Sequence, residues 1–205
     1  MTIQLLPRSC LLSFFLFISQ LASASTESLQ APQRVIENAS LALLTKLEDP
    51  NFASNKSESR AFIDQTVFPS VDMVRMSALV LGKHWRSASK DEKMRFITAF
   101  KNLLVNTYTS TFTTQFQNWT IEYLPLDIKT SDKKTLVKTK VQQPGKPDAK
   151  IDYSMLLRNG KWKIFDIKIE GISLVISNRD SFGQMVKELG SLDAVISKLE
   201  AKNAL

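Results

Sequence analysis

The chain is poor in the side chains from which catalytic and metal centres are usually built. Its 205 residues include one cysteine, Cys10, and one histidine, His84. A zinc site needs several such ligands, so a zinc site of the usual kind is excluded. A Ser-His-Asp triad would have to use His84, which lies beside a tryptophan between two predicted helices.

Glycine is also scarce, and the 6 glycines stand apart from one another. Phosphate-binding loops and nucleophile elbows need glycines at fixed short spacings, and neither motif is present. Asp166, between Phe165 and Ile167, is a candidate for a perturbed pKa, but a solvent-facing or paired carboxylate is the simpler interpretation. We therefore expect a protein that is not an enzyme and that has no metal site, no catalytic residues and no cofactor.

A single apolar run covers residues 11–21, after the positively charged Arg8 and before Ala22-Ser23-Ala24. This order is typical of a secretory signal peptide, and the small-x-small pattern predicts cleavage after Ala24. The alternative is an uncleaved N-terminal anchor, but the run is short for a membrane span. We expect a signal peptide over residues 1–24 and a single domain over residues 25–205.

Export has consequences for compartment and partners. Cys10 would leave with the signal peptide, and an exported domain without a disulfide fits a bacterial periplasm. The formal net charge is +7, and a basic exported protein favours anionic lipid surfaces or acidic partner proteins. Export argues against nucleic acid as the partner. Because the lysines are widely spread, an ordinary solvated surface is the other interpretation.

Helical periodicity dominates the first half of the domain. Apolar residues recur at helical spacing over residues 32–47, 60–68 and 71–81. The longest predicted helix begins after a capping box, with Ser89 as the N-cap residue and Glu92 at the third helical position.

The second half predicts an antiparallel sheet of four strands near residues 119–123, 136–141, 151–157 and 162–170. Asn159-Gly160 separates the last two and is the strongest short signal for a two-residue hairpin, because both turn residues need positive φ. Helices resume after residue 176. Helices, an antiparallel meander and further helices indicate the α+β class.

The apolar residues of the last strand change phase along its length. By simple alternation, Trp162 and Ile164 lie on one face, and Phe165 and Ile167 lie on the other. Such a mixed phase indicates a twisted or curved sheet that is covered on each side over part of its length. A curved sheet with helices over its concave face can enclose a cavity.

Three segments together resemble the MlaC, or toluene-tolerance, family. They are LVLGKHW at 79–85 with the apolar helix after it (Phe96, Phe100, Leu103, Leu104, Tyr108), GKWKIFD at 160–166, and EGISLV at 170–175 with Arg179 and Phe182 after it. The resemblance is collinear from about residue 35 to residue 199. The chain differs from the family pattern at His84, where an aromatic residue is usual, and at Ser177-Asn178-Arg179, which replaces Asn-Tyr-Arg.

The resemblance implies an NTF2-like fold, in which a curved four-stranded antiparallel sheet and helices enclose an apolar cavity for lipid tails. It implies a soluble periplasmic carrier with phospholipid as its cargo. The implied partners are an inner-membrane ABC lipid transporter with its periplasmic substrate-binding ring and an outer-membrane lipoprotein–porin complex. Shuttling lipid between these complexes would maintain the lipid asymmetry of the outer membrane.

The implied cavity gives a set of candidate site residues. We expect the inner face of the hairpin to supply its wall and the helix over residues 71–81 to close over it, with the Ile164 phase of the last strand facing inward. The candidates for lipid contact are Val74, Leu81, Leu104, Tyr108, Met155, Leu157, Ile164, Leu174 and Val175. Arg179 matches an arginine of the family and is the candidate for partner or headgroup contact, with a structural role as the alternative.

Two other functions are consistent with the same residues. An NTF2-like enzyme of the isomerase or dehydratase type would place titratable groups on the cavity floor. A non-lipid periplasmic interaction module would fill its pocket with its own side chains. Within the carrier interpretation, a sterol-like or hopanoid cargo is an alternative to phospholipid.

Overall fold

The computed structural model describes residues 28–115 and 118–203, so the predicted signal peptide lies outside the described residues. The first group of helices is α1 (Ala31–Leu47), α2 (Lys56–Thr66), α3 (Met73–Leu81), α4 (Lys83–Ser87) and α5 (Lys90–Gln115). The strands are β1 (Thr120–Tyr123), β2 (Lys134–Gln142), β3 (Ala149–Arg158), β4 (Lys161–Ile169) and β5 (Ile172–Ser173). The chain continues with α6 (Leu174–Leu189) and α7 (Leu192–Asn203). The predicted α+β class is confirmed.

The strands form a curved five-stranded sheet in the order β1-β2-β3-β4-β5, and each strand pairs antiparallel with the next. The predicted hairpin is confirmed, since Asn159 and Gly160 have φ values of 50° and 74°. The fifth strand, which the sequence analysis did not predict, follows a second turn with two positive φ values. There Glu170 and Gly171 have φ values of 50° and 80°.

A β-bulge in β4 changes which residues share a face. Met155 pairs with Ile164 and Ser154 pairs with Asp166, so Phe165 has no partner across the strand pair. One extra residue reverses the alternation and bends the strand. The assignment of Ile164 and Ile167 to opposite faces assumed unbroken alternation and is wrong.

The helices α3, α5, α6 and α7 form one apolar core. At its centre the rings of Phe96 and Phe100 stack with centroids 5.6 Å apart, and the ring of Phe182 packs edge-on against both at 5.3 and 5.7 Å. These contacts join α5 to α6, and they also explain why Phe96 and Phe100 are almost completely buried.

The start of α5 is stabilised by the predicted capping box, which is confirmed. The Glu92 N–H donates to Ser89 Oγ at 3.1 Å, and the Ser89 N–H donates to Glu92 Oε2 at 2.8 Å. Further along, the Arg95 guanidinium bonds the carboxylates of Asp193 and Glu200 at 2.6 and 2.7 Å, which ties α5 to α7. Within residues 28–115 and 118–203, no helix is long and apolar enough to cross a membrane.

Candidate functional site

A cavity of about 310 Å³ lies between the concave face of the sheet and the helices packed over it. From the helices, it is lined by Ile36, Ala39 and Leu43 of α1, and by Leu104, Tyr108 and Phe112 of α5. Residues of α2 and of the turn before α3 complete this side. None of the described residues that line the cavity is Asp, Glu, Lys, Arg or His.

The sheet supplies an aliphatic wall because its inward positions are aligned across strands. Ile151 of β3 pairs with Ile169 of β4, and Tyr153 pairs with Ile167. All of these residues line the cavity, and Ile164 on the other side of the bulge joins them. The bulge therefore makes one continuous wall out of two stretches of β4 that would otherwise face opposite sides.

Tyrosine hydroxyls are among the polar groups at the cavity, beside those of Ser40, Ser70, Thr111 and Gln143. Burial raises the pKa of Tyr108 and of Tyr153, and both line the cavity. Burial also raises the pKa of the neighbouring Tyr123 to about 12, against a smaller opposite effect of its hydrogen bond with Ser40. These hydroxyls are therefore neutral at physiological pH, and they offer hydrogen bonds without charge.

Of the nine residues predicted to contact lipid, the structure brings Leu104, Tyr108, Ile164 and Leu174 to the cavity. The other five are not among the described lining residues. Val74 is 45% exposed on α3, and Leu157 lies near the far end of β3, past Met155.

The remaining three of those residues are buried in protein. Met155 packs with Ile36, Val137 and Ile164. Leu81 and Val175 belong to the helical core. The helix predicted to close the cavity, α3, contributes only Met76 to the lining among the described residues, because most of its other apolar side chains pack into the helical core.

Helix α1 contributes a cavity wall that the sequence analysis missed. Ile36, Ala39 and Leu43 recur at helical spacing and line the cavity together. The signal was the apolar stripe of this helix. Periodicity identifies such a stripe but does not say whether protein or a cavity lies opposite it.

The buried carboxylate of Asp166 has a structural role. Its two oxygens accept hydrogen bonds from Ser173 Oγ at 2.7 Å and from the Val175 N–H at 3.1 Å. Both donors belong to the beginning of α6, where a carboxylate also complements the positive end of the helix. Within the described residues, Asp166 is therefore a buried carboxylate held by neutral hydrogen-bond donors, neither solvent-facing nor ion-paired, and it is not a lining residue of the cavity.

Arg179 links two helices. Its Nε–H donates to the Leu79 carbonyl oxygen at 2.7 Å, at the C-terminal end of α3. Its side chain also runs past Gly82, where an added Cβ would lie 3.7 Å from the arginine. This geometry matches the structural alternative considered for Arg179, while contact with a partner or a headgroup stays a prediction.

Metal binding has no support in the described part of the chain, where no group of three or more His, Cys, Asp or Glu residues could hold an ion.

Comparison with known proteins finds a family model and a solved structure that match this chain. A family model described as MlaC protein matches residues 37–201. A solved structure of the phospholipid-binding protein from Ralstonia solanacearum, in complex with a phospholipid, matches with a TM-score of 0.78 and 24% identity, over 85% of this chain and 98% of that chain. The structural match shows that the two chains share a fold.

Proposed function

The chain belongs to the MlaC family, and we propose that it is a periplasmic carrier whose cavity holds the acyl tails of a phospholipid. The observation that carries this proposal is the cavity of about 310 Å³, lined by apolar and neutral polar side chains. The phospholipid in the structure from Ralstonia solanacearum supports the same ligand class.

The energetics of an acyl tail explain why such a cavity suits a carrier. Each methylene moved out of water contributes about 0.8 kcal/mol, so a tail of roughly 16 carbons would lose on the order of 12 kcal/mol if it were exposed. A carrier must therefore enclose most of the tail. Moving a tail from a bilayer into an apolar cavity exchanges similar surroundings, so the protein needs no catalytic group for this step.

The alternative functions receive less support from the cavity. An enzyme of the isomerase or dehydratase type needs an acid or base near its substrate, and the titratable side chains among the described lining residues are tyrosines whose pKa burial raises. An interaction module with a self-filled pocket would leave no comparable space.

We further propose that the protein carries lipid between an inner-membrane ABC transporter with its substrate-binding ring and an outer-membrane lipoprotein–porin complex. This role would maintain the lipid asymmetry of the outer membrane. Because the exchange between bilayer and cavity is nearly balanced, the direction of net transport would be set by these partners.

The test is uptake of fluorescent phospholipid from liposomes by Ile167→Asp and by a matched control, Leu136→Asp. Ile167 lines the cavity, whereas Leu136 is 36% exposed on the other face of the sheet. A carboxylate on the cavity wall must be desolvated or must exclude the tail, and either costs several kcal/mol. We expect Ile167→Asp to lose uptake with an unchanged circular dichroism spectrum, and Leu136→Asp to retain it. Normal uptake by Ile167→Asp would contradict the proposal.

A further inference from the structure

A second, more open space of about 500 Å³ lies beside the cavity, between α1, the turn before α3 and the β3–β4 hairpin. We call it the hairpin groove. Val35 and Asn38 of α1 form one side, and residues 160–163 of the hairpin, including Trp162, form the other. Both sides of the groove therefore combine apolar and polar groups.

The hairpin groove and the cavity share part of their walls. Ala39 and Ser70 line both spaces. Both side chains are small, so little material separates the groove from the cavity at this point. A ligand whose apolar part fills the cavity could place its polar end in the groove without crossing the helical core.

The groove has a positive charge that the described residues do not neutralise. Lys161 and Lys163 line it, and none of the described lining residues is Asp or Glu. The Lys163 ammonium donates to the Pro69 carbonyl oxygen, which holds it at the groove. Lys161 has no ion pair within residues 28–115 and 118–203, whereas the neighbouring Arg158 pairs with Asp72 at 2.7 Å.

Neutral hydrogen-bond donors accompany these cations. Asn38, Thr66 and Ser70 also line the groove and offer amide and hydroxyl groups. Lysine binds phosphate as a point charge, and hydroxyl and amide donors complete the contacts of phosphate oxygens.

We propose that the hairpin groove binds a phosphate group, with Lys161 as its main charged contact. Resting on the proposed function, the most direct source is the headgroup of the phospholipid whose tails occupy the cavity. A free phosphate ion has the same chemistry and is distinguished by the experiment below.

The experiment compares phosphatidylglycerol with diacylglycerol of the same tails, which lacks the phosphate. Uptake from vesicles is measured for wild type, Lys161→Glu, Lys161→Arg and the control Lys134→Glu, whose lysine is exposed at the same end of the sheet but outside the groove. We expect Lys161→Glu to weaken phosphatidylglycerol binding roughly tenfold and to reduce its salt dependence, because attraction at an exposed site becomes repulsion. Diacylglycerol binding should not change, and Lys161→Arg and Lys134→Glu should behave as wild type.

If Lys161→Glu loses uptake of both lipids equally, or of neither, the groove does not bind the lipid headgroup. A wild type that takes up neither lipid would instead contradict the proposed carrier function.

The second arm titrates inorganic phosphate alone and follows the Gly160 amide resonance. If the chemical shift of that resonance changes with phosphate concentration and reaches a plateau, while Lys161→Glu takes up lipid as wild type does, the groove binds free phosphate. No response of the resonance to either phosphate source would overturn the site altogether.

Discussion

Ile164 and Ile167 line the same wall of the cavity, although they stand three positions apart on one strand. Phe165 makes this arrangement, because it is the residue of β4 that has no partner in β3. The bulge bends the strand and keeps both isoleucines directed inward. The curvature of the sheet and the continuity of the cavity wall therefore depend on the same inserted residue.

Deleting Phe165 should remove the bulge and damage the cavity. Without the extra residue, regular alternation would turn one of the two stretches of β4 outward. We expect the deletion to lose lipid uptake and to lower the denaturant midpoint more than Phe165→Ala, which keeps the backbone length. Uptake assays and urea unfolding of both variants measure this. A deletion variant that matched Phe165→Ala in both assays would show that the bulge does not organise the wall.

Phe100 and Leu104 lie one turn apart on α5 and should respond differently to truncation. Phe100 is 1% exposed within the aromatic cluster and does not line the cavity, so Phe100→Ala should cost about 3–5 kcal/mol with or without lipid. Leu104 borders an existing cavity, so Leu104→Ala should cost the lipid-free protein less and should reduce the stabilisation by lipid. Thermal melts with and without phospholipid test the pair. A loss in Phe100→Ala that lipid largely restores would place Phe100 on the cavity wall.

The buried tyrosines should make the protein sensitive to alkaline pH. Burial raises the pKa of Tyr123 to about 12 in the folded state, against an ordinary value of 10.0. Below pH 10 the hydroxyl is protonated in both states, and its contribution to stability is complete. Between about pH 10 and 12 the unfolded state loses the proton first, so stability falls as pH rises. Urea unfolding at pH 9 and pH 11 should show this fall, and Tyr123→Phe should reduce it. An identical fall in Tyr123→Phe would assign the effect to other groups.

Export predicts a defined mature N-terminus. If a signal peptidase cleaves after Ala24, the mature chain begins with Ser25-Thr26-Glu27. The intact mass of protein from the periplasmic fraction measures this directly. Periplasmic protein that retained residues 1–24 would contradict the predicted cleavage.

Local signals in the sequence predicted much of the fold. The Asn159-Gly160 turn and the Ser89–Glu92 capping box each depend on a few adjacent residues, and both are found as predicted. The bulge was not predicted, because an inserted residue and an ordinary outward residue look alike in the pattern. Phe165 is apolar, so either phase of β4 gave a plausible buried face.

The cavity wall was harder to predict than the fold, since an apolar side chain gives the same signal against protein and against a cavity. Leu174 and Val175 are adjacent and both apolar, yet Val175 packs into the helical core and Leu174 lies at the cavity. Helix α1 covers strands far from it in sequence, and only the tertiary arrangement shows that its stripe faces the cavity.

Native mass spectrometry of protein purified from a bacterial periplasm, without added lipid or detergent, tests the central claim most directly. We predict that the protein carries copurified phospholipid, visible as a mass increment that organic extraction removes and identifies. Protein that is empty as isolated, and that takes up no phospholipid from liposomes, would contradict the account of the cavity as a carrier site.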